Sequence, residues 1–232
     1  MNSIPPWYYN EFKQIGTDYN SPEEVYEYDI RMKKLRNINN EIDYIIDNSN
    51  LGSNDIVLEF GCGTGEFLLK AASHCRLVYG LDVSTVMLDY TQDKINKSGL
   101  DNIKLLHAGF LSYQHNGEPF DLVVSQLALH HLPDFWKSIA LNRVYSILKP
   151  GAYFFLRDVV FSSDINDYDN YFCNWFTSIP SDGEISSEML EHVKNEYSTL
   201  DWIMEGLLKK SGLNIEKFNT NGLISTYLCR KL

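Results

Sequence analysis

Residues 57–65 read Val57-Leu58-Glu59-Phe60-Gly61-Cys62-Gly63-Thr64-Gly65, and Asp55-Ile56 before them complete an apolar strand that runs into three alternating glycines. A buried strand that ends in glycines and feeds a helix, here Glu66 to His74, brings backbone N–H groups and a helix start to one point. A Cβ there would block the close approach of a ligand. A dinucleotide fingerprint wants Gly-x-Gly-x-x-Gly. The place of its third glycine is held by Glu66, whose carboxylate is ill suited to a pyrophosphate. Glu59, two residues before the first glycine, instead suits a ligand that brings positive charge, such as an amino group or a sulfonium.

Working outward, a strand Arg76–Val83 follows, then a helix Ser84–Lys97 closed by Gly99, and a strand Asn102–Ala108. A strand Phe120–Gln126 comes next, then a helix opened by Pro133 and ended by Lys149-Pro150-Gly151, then a strand Ala152–Val160. Strand alternating with helix is the pattern of a parallel sheet with helices on both faces. Residues 161–195 break the rhythm; acidic and aromatic, they are expected to form an inserted helical lid or cover. A helix over Ser198–Ser211, stopped by Gly212, leads into strands Asn214–Thr220 and Leu223–Lys231 joined through Asn221-Gly222, a strong hairpin signal. Upstream, Ser21-Pro22-Glu23-Glu24 reads as a capping box with proline at the first helical position. Val25, Ile30, Leu35, Ile38, Ile42, Ile45 and Ile46 then predict one long helix to about Asp47. The expected architecture is α/β: a Rossmann-like, seven-stranded, mostly parallel sheet with an antiparallel C-terminal hairpin. Residues 1–50 would form a helical cap over residues 51–232.

Composition narrows the function. With 44% hydrophobic and 13% aromatic residues, 232 residues suffice for a sizeable core. The net charge of −11 disfavours nucleic acid as a partner, since the densest basic run, Arg31-Met32-Lys33-Lys34-Leu35-Arg36, would wrap more than one helix face. No apolar run is long enough to span a bilayer. Cys62, Cys75, Cys173 and Cys229 are scattered, which disfavours a disulfide framework or a structural zinc site and fits a reducing cytoplasm. No metal is expected, and nothing in the residues sets the oligomeric state.

Asp82 ends the second strand 21 positions after Gly61, the spacing of an acid that hydrogen-bonds ribose hydroxyls. Taken together, Glu59-Phe-Gly-Cys-Gly-Thr-Gly65, Gly80-Leu-Asp-Val-Ser84 with Met87-Leu88, Phe120-Asp-Leu-Val-Val-Ser125 with Leu129-His-His-Leu132, and Leu148-Lys-Pro-Gly-Ala-Tyr153 resemble the class I methyltransferases that use S-adenosylmethionine. Among these the chain is most similar to the small-molecule branch typified by quinone-biosynthesis enzymes. The resemblance covers Asp55 to Val160 well and the closing helix and hairpin more loosely.

The resemblance implies that Gly61, Cys62, Gly63 and Gly65 hold the methionine and ribose part of the cofactor, with Glu59 behind them. Asp82 would bind the ribose, Val83 and Met87 would pack on adenine, and Ser125 and Gln126 would line the methionine side. Many relatives carry, after the third strand, an aspartate that contacts the adenine amino group. Gly109 stands at that place here, so adenine recognition would fall to backbone groups around Gly109 and Phe110. Tyr19, in a Tyr-x-Glu-Phe…Asp-Tyr segment like those of relatives, would reach the cofactor carboxylate or serve in packing.

His130-His131, just past the fourth strand, could take a proton from the acceptor as a neutral imidazole, or could be structural. Asp158 reads equally as a substrate contact or a supporting group. Trp7, Tyr8, Tyr9, Tyr171, Phe172, Trp175 and Phe176 are candidate lining residues for the acceptor pocket. The expected chemistry is an in-line methyl transfer to O, N, S or C of a small organic molecule. The rival readings are a nicotinamide-dependent oxidoreductase and a non-catalytic S-adenosylmethionine-binding protein.

Overall fold

A computed structural model of the chain describes residues 5–13, 15–162, 165–178, 190 and 193–232. Strands β1 (Ile56–Phe60), β2 (Leu77–Asp82), β3 (Ile103–His107), β4 (Phe120–Gln126) and β5 (Leu148–Phe161) pair in parallel in the order β3-β2-β1-β4-β5. The sheet is completed by β7 (Leu213–Asn221) and β8 (Ile224–Lys231). β8 lies antiparallel between β5 and β7 and is an interior strand. Gly222, at φ +61, makes the hairpin turn that Asn221-Gly222 foretold. The sheet thus has the seven expected strands plus an eighth, the two-residue β6 (Thr199–Leu200), which pairs with the end of β5.

β1 is buried along its whole length, as a central parallel strand must be when both faces are covered. Leu58 and Phe60 face one core with Ala140, Leu141 and Val144 of α5 (Asp134–Ile147) and Met204 and Leu208 of α7 (Asp201–Lys210). Val57 faces the other, with Ile42, Ile45 and Ile46 of α2 (Ile38–Ser49) and Phe67, Leu68 and Ala71 of α3 (Glu66–Ala71). α4 (Thr85–Ser98) adds Leu88 to this second core. It is capped by Ser84, which accepts from the Met87 N–H, and closed by Gly99 in the left-handed region.

Two expectations are corrected. The long helix to Asp47 is two helices, α1 (Pro22–Leu35) and α2, broken at Arg36-Asn37. Arg36 is extended, and Asn37 caps α2 by accepting from the Asn40 N–H. The break is held by Glu41, which accepts from Arg36 Nε at 2.9 Å and from Arg157 Nη1 at 2.6 Å. Apolar periodicity ran through a local capping choice that Asn makes readily. Lys149-Pro150-Gly151 also does not separate helix from strand: β5 already begins at Leu148, and the irregular register between Phe120 and Leu122 absorbs the tripeptide.

Of the expected cover over 161–195, α6 (Tyr168–Ser178) is described, while 163–164, 179–189 and 191–192 lie outside the described residues. α6 docks on the hairpin: Tyr171 Oη donates to the Gly222 carbonyl at 3.1 Å, and Phe172 sits edge-on to Phe161.

Candidate functional site

The C-terminal ends of β1 to β4 open on one cavity of about 810 Å³, counted out to its mouth. Its walls are Gly61 and Gly63 after β1, then Asp82, Val83 and Met87 after β2. Ala108, Gly109 and Phe110 follow from β3, and Gln126, Leu127, Ala128, His131 and Leu132 from β4. Glu11, Lys13, Ile15, Tyr19 and Tyr28 close the opposite side. Of the residues singled out in the sequence, Glu59, Cys62, Gly65, Ser125 and His130 stand behind these walls. None of the candidate aromatics Trp7, Tyr8, Tyr9, Tyr171, Phe172, Trp175 and Phe176 faces the cavity.

The glycine turn is tight: the Cys62 N–H donates to Leu81 O, and the Gly65 N–H to Cys62 O, each at 2.9 Å. Gly61 and Gly63 serve it differently. Gly61 has φ +68, and a Cβ there would overlap the side chain of Ala128. Gly63 has φ +50, with nothing within 4 Å of a Cβ, so it keeps the cavity floor clear. Gly63→Ala should therefore cost only about 1–2 kcal/mol of stability, the left-handed backbone strain. It should weaken binding of S-adenosylhomocysteine by about tenfold or more. Gly61→Ala should instead destabilise the fold. Thermal melts with calorimetric titration separate the two effects, and unchanged affinity in Gly63→Ala would refute the assignment. Gly65 packs its backbone against Thr91 of α4, and burial pushes the Cys62 thiol well above its usual range. Neither faces a ligand.

Asp82 fixes the turn. Its Oδ2 accepts from the Gly63 N–H at 2.8 Å and its Oδ1 from the Ser84 N–H at 2.9 Å. Burial raises its pKa against the lowering effect of these bonds. Glu59 is more confined, at 3% exposure. One of its oxygens accepts from Gln126 Nε2 at 3.2 Å, and the other is buried with no hydrogen-bond partner among the described residues. Burial pushes this carboxyl well above the usual carboxylate range. Ser125 Oγ, also buried, likewise has no partner among the described residues. Orphaned buried acceptors are rare in folded proteins. A cationic donor bound beside Gln126 fits this one. Glu66 turns to α4, where Lys94 Nζ donates to it at 2.7 Å and to Asp29 of α1 at 3.0 Å.

Residues 57–151 match the family model described as a methyltransferase domain. The chain is 33% identical over 109 residues to an uncharacterized methyltransferase of Anoxybacillus flavithermus, covering 47% of this chain and 49% of that protein. It is 36% identical over 106 residues to a demethylmenaquinone methyltransferase of Lactiplantibacillus plantarum, covering 44% of each. It spans about half the length of these curated relatives. In fold it is similar to magnesium protoporphyrin IX methyltransferase of Synechocystis, solved with bound S-adenosylmethionine. That likeness has a TM-score of 0.65 at 16% identity over 98% of this chain and 100% of the other. Residues 57–151 thus carry a methyltransferase domain, on a fold shared with solved methyltransferases.

The two histidines are placed differently. His130 is 1% exposed; its Nδ1 meets Asp158 Oδ1 at 2.5 Å and its Nε2 meets Glu196 Oε2 at 3.2 Å. Burial pulls its pKa down, but the two carboxylates outweigh that and raise it to about 9. The ring is thus held between two carboxylates behind the cavity wall. His130, His131 and Glu196 bring ligand-type atoms within 4.8 Å of one another. This placement favours the supporting role for His130 over that of a proton acceptor. Asp158 likewise serves His130, accepting its backbone N–H at 3.0 Å as well. His131 faces the cavity, with Tyr19 edge-on to its ring.

Residues 5–13 and 15–20 form a strap across the cavity, without a helix. Tyr8 Oη donates to Leu111 O at 3.0 Å, Tyr9 Oη to His131 O at 3.0 Å, and Ser84 Oγ to Tyr19 O at 2.6 Å. Sequence reasoning missed Glu11, Lys13, Ile15, Tyr28, Leu127, Ala128 and Leu132 as cavity residues. Only Leu127 carries a structural mark of its own, a left-handed φ of 54 that β-strand exits seldom tolerate in a leucine. Its N–H is held by Arg157 O at 2.7 Å.

Proposed function

We propose that the chain binds S-adenosylmethionine in this cavity and transfers its methyl group directly to O, N, S or C of a small organic acceptor. The observation that carries the reading is the buried carboxyl of Glu59, with one oxygen lacking a donor, beside a glycine turn whose open member is Gly63. The cofactor, when bound, supplies a methyl group on a sulfonium, whose departure leaves a neutral thioether. Gly61 and Gly63 give its backbone room, Asp82 takes the ribose hydroxyls, and Val83, Met87 and Phe110 flank the adenine. Gln126, with Glu59 and Ser125 behind it, faces the methionine end, and Tyr19 covers it.

The protein's own contribution is proximity, alignment and exclusion of water. His131, the member of the pair that faces the cavity, is the candidate to receive a proton from the acceptor. The name of the Lactiplantibacillus relative brings a quinone-type acceptor within this class. The four cysteines are free thiols, which supports a cytoplasmic location. No helix among the described residues is long and apolar enough to cross a membrane.

Calorimetry with S-adenosylhomocysteine and with NADH tests the reading; binding of NADH alone would refute it. Incubation with methyl-labelled cofactor and pooled metabolites should yield labelled product, and none would point to a non-catalytic binder. Asp82→Ala should weaken S-adenosylhomocysteine by about tenfold or more, because both ribose contacts and the Gly63 N–H lose their acceptor. Unchanged affinity would remove Asp82 from the site.

A further inference from the structure

Gly109, on the cavity wall, lacks a side chain, and a distant residue fills that place. The carboxylate of Glu11 reaches over the loop: Oε2 accepts from the Leu111 N–H at 2.9 Å and Oε1 from the Ser112 N–H at 2.7 Å. Its carboxyl carbon is 2.6 Å from where a Cβ on Gly109 would stand, and Val83 Cγ1 is 2.9 Å from the same point. Glu11 thus occupies the volume that a side chain at position 109 would take.

Asp82 marks the ribose, so a base attached to it extends past Val83 toward Gly109, where Glu11 also lines the cavity. A carboxylate offers about four lone-pair directions. Two are used by Leu111 and Ser112, which leaves capacity for a donor on the base edge.

We propose that Glu11 is the base-specificity residue: its carboxylate accepts the exocyclic amino group of adenine while holding the 109–112 turn. This rests on the cofactor reading above. It places base selection on a strap that lies 100 residues away in the chain from the turn it holds. A purine bearing a carbonyl in place of the amino group would set oxygen against carboxylate and be rejected.

The test compares S-adenosylhomocysteine with S-inosylhomocysteine by calorimetry on the wild-type chain, Glu11→Gln and Glu11→Ala. The wild type should prefer the adenosyl ligand by about tenfold or more, the scale of one charge-assisted hydrogen bond. Both variants should reduce that preference below about threefold, chiefly by weakening the adenosyl ligand. A preference kept in either variant, or both ligands weakened equally, overturns the role of Glu11 while leaving the cofactor reading intact. Failure of the wild type to bind S-adenosylhomocysteine would instead sink the cofactor reading.

Discussion

Glu59→Gln should raise the melting temperature of the free protein and at the same time weaken S-adenosylhomocysteine binding by about 10- to 100-fold. Glutamine keeps the acceptor for Gln126 Nε2 but removes a carboxyl that is buried, half-satisfied and pushed well above its usual range. A carboxyl whose folded pKa lies above its unfolded value stabilises most below the unfolded value, and that stability is lost as pH rises through the folded pKa. The gain from Glu59→Gln should therefore be largest at neutral pH and shrink toward pH 4. A bound cation favours the ionised carboxylate, so wild-type affinity should climb with pH through this raised pKa, and the variant should show no such climb. A destabilised variant with unchanged affinity would show that Glu59 is a structural residue. The underlying trade is stability surrendered for a poised acceptor, common at binding sites.

His130→Gln should lower stability by about 3–5 kcal/mol, because Asp158 and Glu196 would be left as buried carboxylates without their cation. For a chain of this length that is a fall of roughly 6–20 °C in melting temperature. The pH signature runs opposite to an acid-labile pair. The pKa of His130 is raised from 6.5 to about 9, so its stabilising pairing is complete below pH 6.5 and disappears as pH rises through about 9. Wild-type melting temperature should decline over that window, and the variant's curve should be flatter there. Parallel curves would mean that His130 is not the titrating group. Cofactor affinity of the variant, measured well below its melting point, should change little, since His130 lies behind the cavity wall.

The strand–helix rhythm from Ile56 to Val160 was legible because each element is set by local pattern. Ser84 and Gly99 bracket α4, Asn221-Gly222 turns the hairpin, and the apolar runs of β1 and β4 admit few other readings. The place of Gly61, Gly63 and Asp82 on the cavity wall was legible for the same reason: each is fixed by its distance from a strand end. What stayed hidden depends on contacts far apart in the chain. The break at Arg36-Asn37 is held by Glu41 and Arg157, Leu127 is bent by the register of β5, and Glu11 is meaningful only once Gly109 is beneath it. The difference between His130 and His131 lies in Asp158 and Glu196, neither of which neighbours them in sequence. The β6 pair is too short to leave a periodic trace.

The interior position of β8 bears on how the molecule is made. Its Tyr227, Leu228 and Cys229 are buried between β5 and β7, yet residues 224–231 are translated after every other strand. While a ribosome still holds them, β5 presents an open, apolar edge of the kind that invites pairing with other chains. Nascent chains stalled before Ile224 should therefore depend on chaperones far more than chains in which residues 224–231 are free to pair.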